Sequence, residues 1–168
     1  MDKVLQLKVT GFWRKRAEVI DGARVVGSFR TRRLLSSDAL AQIDNATYTF
    51  RVDGVLRNVV KIAKDDQAVG ELAIKMPGLT GDLQIGGRSY TYKMIPDIAA
   101  SGLIKPMQYQ WLDASGQELA LIQLHNGVFT LNSVSGQANI TSIGQADQQT
   151  VLLVLLAIYL TQVQSTAN

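Results

Sequence analysis

The side chains with the clearest chemical potential in this chain are basic, and they cluster early. Arg14, Lys15 and Arg16 follow Phe12-Trp13, Arg30, Arg32 and Arg33 close the next long run, and Arg51, Arg57 and Lys61 fall on the polar faces of two later strands. Guanidinium groups suit phosphate because their paired N–H donors match two oxygens at once. The pattern therefore points to a module that docks anionic phospholipid headgroups, or another phosphorylated ligand, through Arg14, Lys15, Arg16, Arg30, Arg32, Arg33, Arg51 and Arg57. In strand alternation Arg14 and Arg16 share a face, and Arg30 and Arg32 share another, so neighbouring strands would merge them into one patch. Trp13 beside them reads either as a headgroup-interface side chain or as core. Nucleic acid is a poorer match for the same charges, because the tyrosines and Phe50 fall on apolar faces and leave no stacking platform for bases.

The rest of the chemical inventory is thin. The chain has no cysteine and one histidine, which excludes disulfides, thiolate metal sites, cysteine nucleophiles and multi-histidine metal centres. His125 stands alone before the Asn126-Gly127 turn and reads as a strand-end side chain in polar surroundings. Asp65-Asp66 either points to opposite faces of a strand or lies in a turn, and Asp113 and Glu118 flank a Ser115-Gly116 hairpin as solvated groups. No phosphate loop, dinucleotide glycine fingerprint or nucleophile elbow is present. The reading is a non-enzymatic binding module without a cofactor; the alternative is a protein-interaction or scaffold domain that binds no lipid. The sequence leaves the oligomeric state open.

Strands must position these residues. Apolar side chains recur at every second position: Leu5, Leu7 and Val9; Tyr48, Phe50 and Val52; Leu56, Val60 and Ile62, with Asn58 as the one polar member of that run; Leu72, Ile74 and Met76; Tyr90, Tyr92 and Met94; Met107, Tyr109 and Trp111. Period two marks strands with one face in a core and one in water. Turn dipeptides separate the runs at Asp21-Gly22, Asp44-Asn45, Asp53-Gly54, Gly86-Gly87, Ser115-Gly116, Asn126-Gly127 and Ser135-Gly136, each suited to a tight antiparallel hairpin. Residues 97–102 carry the one further hint of a helical turn.

The C-terminus changes character. Val151 to Leu160 is ten consecutive apolar residues, rich in leucine, with Asp147 expected as the N-cap. Such a helix is apolar all round and must be buried on every side; it is shorter than the ~20 residues a bilayer span needs, which leaves a tail anchor as the lesser alternative. A closed sheet of about a dozen strands is wider than its own side chains can fill. The expected architecture is therefore all-β: a closed antiparallel barrel of about twelve strands, one domain over 1–168, with strands across 1–146 and a central helix over 147–164.

Charge is unevenly placed along the chain. Residues 1–64 carry +7 and residues 65–168 carry −4, for a net +3, and the last 21 residues hold no charged side chain. Such asymmetry makes a directional field if the halves separate in space, and cancels if basic and acidic strands pair. Met1-Asp2-Lys3-Val4 enters the alternating pattern without the apolar stretch of a signal peptide. The expected location is the cytoplasm, peripheral to a membrane if the basic face docks there; the sequons at Asn45 and Asn139 then carry no meaning.

Three segments carry a family resemblance. Gly86-Gly87-Arg88-Ser89-Tyr90-Thr91-Tyr92-Lys93 looks like a Gly-Arg-x-Tyr-x-aromatic-Lys strand, Trp111 to Leu119 looks like a Trp-x-Asp hairpin followed by Gly-x-Glu-Leu, and the leucine-rich run ends in Tyr159-Leu160. In this order they resemble the tubby C-terminal-like group, which includes the tubby-like proteins, the LURP-one-related proteins, the phospholipid scramblases and small bacterial members. The resemblance covers the second half of the chain. It implies a twelve-stranded barrel around a hydrophobic helix and, for the tubby-like proteins, phosphoinositide binding at a basic surface. No local motif marks those basic positions here, so none is carried over. The acidic calcium-binding segment of the scramblases has no counterpart, and scramblase activity is not implied.

Overall fold

A computed structural model of the chain describes residues 1–10, 16–31, 38–53, 58–75, 80–96, 107–124 and 136–165. Within them the alternating runs become β1 (Lys3–Thr10), β2 (Arg16–Asp21), β3 (Arg24–Thr31), β4 (Ala39–Ile43), β5 (Ala46–Asp53), β6 (Val59–Lys64), β7 (Gln67–Lys75), β8 (Thr80–Ile85), β9 (Arg88–Pro96), β10 (Met107–Asp113), β11 (Glu118–Leu124) and β12 (Gly136–Ile140). Two helices follow, α1 (Ser142–Ala146) and α2 (Thr150–Ser165).

Each strand pairs antiparallel with its sequence neighbours, and β1 pairs with β12, so the sheet closes into a twelve-stranded barrel. Alternation decides which side chains enter. On β5, Tyr48 and Phe50 are buried while Thr49 and Arg51 face outward; on β2, Ala17 and Val19 point in while Arg16 and Glu18 point out. Short links join β2 to β3, β4 to β5, β6 to β7, β8 to β9 and β10 to β11 at one mouth of the barrel, the hairpin end. Asp65 and Asp66 form one of these turns, with φ of 48° and 67°, and Gly86-Gly87 forms another with 57° and 74°. This is the left-handed pair that matches strand twist in a tight hairpin. It settles the two readings of Asp65-Asp66 in favour of the turn. Gly54 of the predicted Asp53-Gly54 turn, the Asn126-Gly127 turn, Ser135 of a third, and the helical turn at 97–102 lie outside the described residues.

The apolar helix fills the barrel. Every residue from Leu152 to Leu160 is at most 2% exposed. The helix enters at the hairpin end and runs towards the other mouth: Val151 lies against Gly27 of β3, the Tyr159 ring meets Phe50 at 5.4 Å, and Thr161 reaches the Tyr109 hydroxyl. A Cβ on Gly27 would stand 2.6 Å from Val151 Cγ1, so the missing side chain is what admits the helix there.

The expected boundaries need correction. Strands stop at Ile140 rather than 146, and the central helix starts at Thr150 rather than 147. Between them α1 forms because Thr141 caps it, its hydroxyl accepting the Gly144 N–H at 3.1 Å while donating to the Glu118 carbonyl at 2.8 Å. Asp147 closes α1 and leads into α2 instead of capping α2. Its carboxylate accepts the Gln149 N–H at 2.8 Å, the Tyr90 hydroxyl at 3.0 Å and an Arg88 N–H at 3.2 Å. The Arg and Tyr of the motif strand thus anchor the point where the helix enters. Burial, with the neighbouring Asp147, pushes the Tyr90 phenol above its ordinary range.

Candidate functional site

Three of the eight candidate ligand-binding residues fall within the described chain: Arg16, Arg30 and Arg51, all on the outer wall and exposed. Arg14, Lys15, Arg32, Arg33 and Arg57 lie outside the described residues, as do Trp13 and His125.

The register brings two of the three together. Arg16 on β2 stands directly opposite Arg30 on β3. A bulge at Val19/Ile20 creates this pairing: the turn matches Asp21 with Arg24 and Ile20 with Val25, and the bulge then skips Val26, so that Val19 meets Gly27 and Arg16 meets Arg30. Without the extra residue Arg16 would face Phe29. Opposed side chains on adjacent strands have Cβ atoms about 4.5–5.5 Å apart, and like charges so placed repel. Neither guanidinium has a carboxylate within ion-pair distance among the described residues.

The pair borders a shallow depression of about 430 Å³ on the outer wall, lined also by Glu18, Ser28, Leu40 and Gln42. It offers two cations, one anion and neutral donors, a net +1. Further along β3 a second depression of about 380 Å³ is lined by Arg24 and Asp44. There the arginine is engaged, with Arg24 and Asp44 paired at 3.7 Å. The two hollows share Ser28 and Gln42 and differ in whether their cations are satisfied.

Arg51 does not join the pair. Arg30 faces Leu40, which faces Thr49, and Arg51 lies two residues beyond on β5. That places it roughly 12 Å from Arg30 by strand geometry. Arg51 sits opposite Lys61 instead, whose ammonium is held by Asp53 at 2.7 Å. That carboxylate raises the Lys61 pKa through its hydrogen bond and charge. Lys75 similarly binds Asp82 at 2.7 Å and holds its carboxyl below the ordinary range.

The carboxylates that flanked hairpins in the sequence have structural partners. Asp113 Oδ1 accepts the Ser115 N–H, the Ser115 hydroxyl and the Gln117 N–H at 2.7–2.9 Å, and these bonds lower its pKa. Glu118 accepts from the Gln110 amide. Among the described residues no group of three or more His, Asp or Glu side chains is placed to hold a metal.

One feature of charge was invisible in sequence order. Asp21, Asp44, Asp65, Asp66, Asp113 and Asp147 lie in or beside the links of the hairpin end and outnumber the basic residues described there, Lys3, Arg24, Lys64 and Arg88, whereas Arg16, Arg30 and Arg51 lie towards the opposite mouth together with Asp38 and Asp53. Separation runs along the barrel axis as well as between the two halves of the chain. The signal was available: hairpin links select Asp for its tolerance of left-handed backbone, and in an up-and-down barrel alternate links share a mouth.

Comparison with protein-family models, with curated proteins and with solved structures finds no match to any of them. No helix among the described residues is long and apolar enough to cross a membrane.

Proposed function

We propose that this barrel is a non-enzymatic binding module that takes a phosphate-bearing ligand on its outer wall, at the depression beside Arg16 and Arg30. The observation that carries the reading is the cross-strand arginine pair. Two exposed guanidinium groups face each other with no carboxylate in reach among the described residues, and a bound phosphate between them turns a repulsion into two charge-assisted contacts. The acidic residues gathered at the far end of the barrel orient the field so that an anionic surface meets the basic end first. The resemblance to the tubby-like group points the same way. In this reading the protein works in the cytoplasm, at an anionic membrane surface if the phosphate belongs to a lipid headgroup.

The test is co-flotation with phosphatidylcholine vesicles, with and without phosphatidylserine or phosphatidylinositol phosphates. Binding requires anionic lipid and falls as salt rises. Each arginine near such a surface is worth about 1 kcal/mol, so R16Q/R30Q weakens binding roughly 30-fold. E18Q strengthens it, because the anion on the rim is gone. Titration with inorganic phosphate and with a soluble inositol phosphate separates the sources: binding to these alone assigns a free phosphorylated ligand, and binding to vesicles alone assigns a membrane. Binding that ignores lipid charge and salt, or that survives R16Q/R30Q, overturns the proposal.

A further inference from the structure

The wall away from the arginine pair has a different chemistry. Register places Gln108 of β10 opposite Gln123 of β11, Gln123 opposite Gln137 of β12, and Gln137 opposite Gln6 of β1. Four glutamines therefore stand in one row across four adjacent strands. All point outward, because the residues between them point in: Tyr109, Ile122, Ala138 and Leu7 are each 0% exposed. The next row is Gln110, Leu121, Asn139 and Val4, also outward-facing and also uncharged. Among the described residues charge returns at the rim, with Lys93 opposite Gln110, Glu118 beyond Leu121 and Lys8 beyond Gln6.

We infer that this amide wall is a self-association surface, and that its partner is the same wall on a second copy of the chain. A primary amide carries both donors and an acceptor. The one bond within the row, from Gln137 Nε2 to Gln123 Oε1 at 3.0 Å, leaves donors on Gln123 and acceptor capacity on Gln137. An isologous contact must be self-complementary, and a row of four identical amides meets that condition by construction. Whether the two-fold axis runs along the row or along the strands, a glutamine meets a glutamine. A charged partner finds nothing to pair with across the centre of this wall, whereas two copies bring no like charges together there. An uncharged centre with a charged rim is also the layout of protein interfaces. Four strands at about 4.8 Å spacing span roughly 14 Å from the first to the last. That is small against a standard interface, so the dimer is of the weak, reversible class. The inference does not depend on the arginine site, which lies on other strands.

Analytical ultracentrifugation of the full chain, from micromolar to near-millimolar concentration, reads the outcome. The sedimentation-equilibrium mass rises towards twice the monomer value. Q123E/Q137E returns it to the monomer value by setting carboxylates against carboxylates, and Q123K/Q137K does the same with ammonium groups. Mixing the two variants restores the doubled mass. Circular dichroism melts of each variant confirm that it is folded, which is expected at outward positions; Q123A/Q137A serves if either charged variant is not. A monomer at every concentration overturns the inference. So does a dimer indifferent to the charged substitutions, or a mixture of the two variants that fails to reassociate.

Discussion

At the scale of single residues, one extra residue on β3 sets Arg16 against Arg30: with Val26 unpaired, every pair from Val19 to Arg16 shifts by one position. Strand alternation in the sequence puts Arg16 and Arg30 on the polar faces of their strands, and each stands beside a residue that the structure buries, Ala17 and Phe29. Alternation does not show that they face one another, because that depends on one bulge between Val19 and Ile20. A bulge costs a single unpaired residue and leaves no strong mark in composition. Arg51 failed to join for the same kind of reason, since two strands and two residues of stagger intervene. Asp113 shows the opposite error, in which a group read as merely solvated has a structural task. It accepts three hydrogen bonds that organise the β10–β11 turn, and those bonds favour the carboxylate and depress its pKa. A carboxyl whose folded pKa lies below its unfolded value contributes stability above the unfolded value and loses it as pH falls through the folded one. For D113N we therefore expect a lower urea midpoint than the wild type at pH 7. The gap narrows as pH drops below the ordinary aspartate value of about 3.9. Urea titrations at pH 7 and near pH 2.5 check this; a gap that is constant with pH would show that the turn does not depend on the charge.

At the scale of elements, the strands and the long helix were legible because each follows a strong period: two for β5, β9 and β10, and an unbroken apolar run for α2. The short helix α1 was not. Its sequence, Ser142-Ile143-Gly144-Gln145-Ala146, has no amphipathic period and contains a glycine, which disfavours helix. Tertiary contact overrides that preference. Gly144 is buried against β11, where an added Cβ would stand 2.1 Å from the Leu119 carbonyl oxygen and 3.0 Å from Ile140 Cγ2. The first of these is backbone and cannot swing aside, so G144A must push α1 off the strand. With it go the Thr141 cap and the contact of the Thr150 hydroxyl with the Gly144 carbonyl. Overpacking of this kind costs about 1–3 kcal/mol, and helix propensity returns less than about 1 kcal/mol of it. We expect G144A to lower thermal stability although alanine is the better helix former. An unchanged or raised melting temperature would show that α1 is loosely seated.

At the scale of the whole molecule, closure and filling imply one another. Strand number was legible from turn spacing, and the helix from its composition, yet neither alone shows that β1 meets β12. The argument that joins them is volume: a ring of twelve strands leaves a lumen that its inward side chains do not fill, and a helix without a polar face needs burial on every side. Seven of the nine residues from Leu152 to Leu160 are Leu, Val or Ile, all at most 2% exposed. At about 1.5–3 kcal/mol for each such side chain, they contribute roughly 10–20 kcal/mol, as much as or more than the 5–15 kcal/mol by which a whole domain is stable. The strands would therefore not hold their closed form without the helix. Ending the chain before Thr150 removes the filling but leaves every strand, every hairpin and the Arg16–Arg30 pair in the sequence. It exposes the inward faces of Leu7, Val19, Phe50, Ile62, Leu72, Trp111 and Ile122, all fully or almost fully buried in the intact protein. We expect the shortened protein to be insoluble, or to be a compact state that binds a hydrophobic dye and melts without a cooperative transition. Size-exclusion chromatography, dye fluorescence and a thermal melt decide it. A soluble truncation that melts cooperatively and ignores the dye would mean that the barrel closes on its own side chains and that the helix is an addition to the fold rather than its centre.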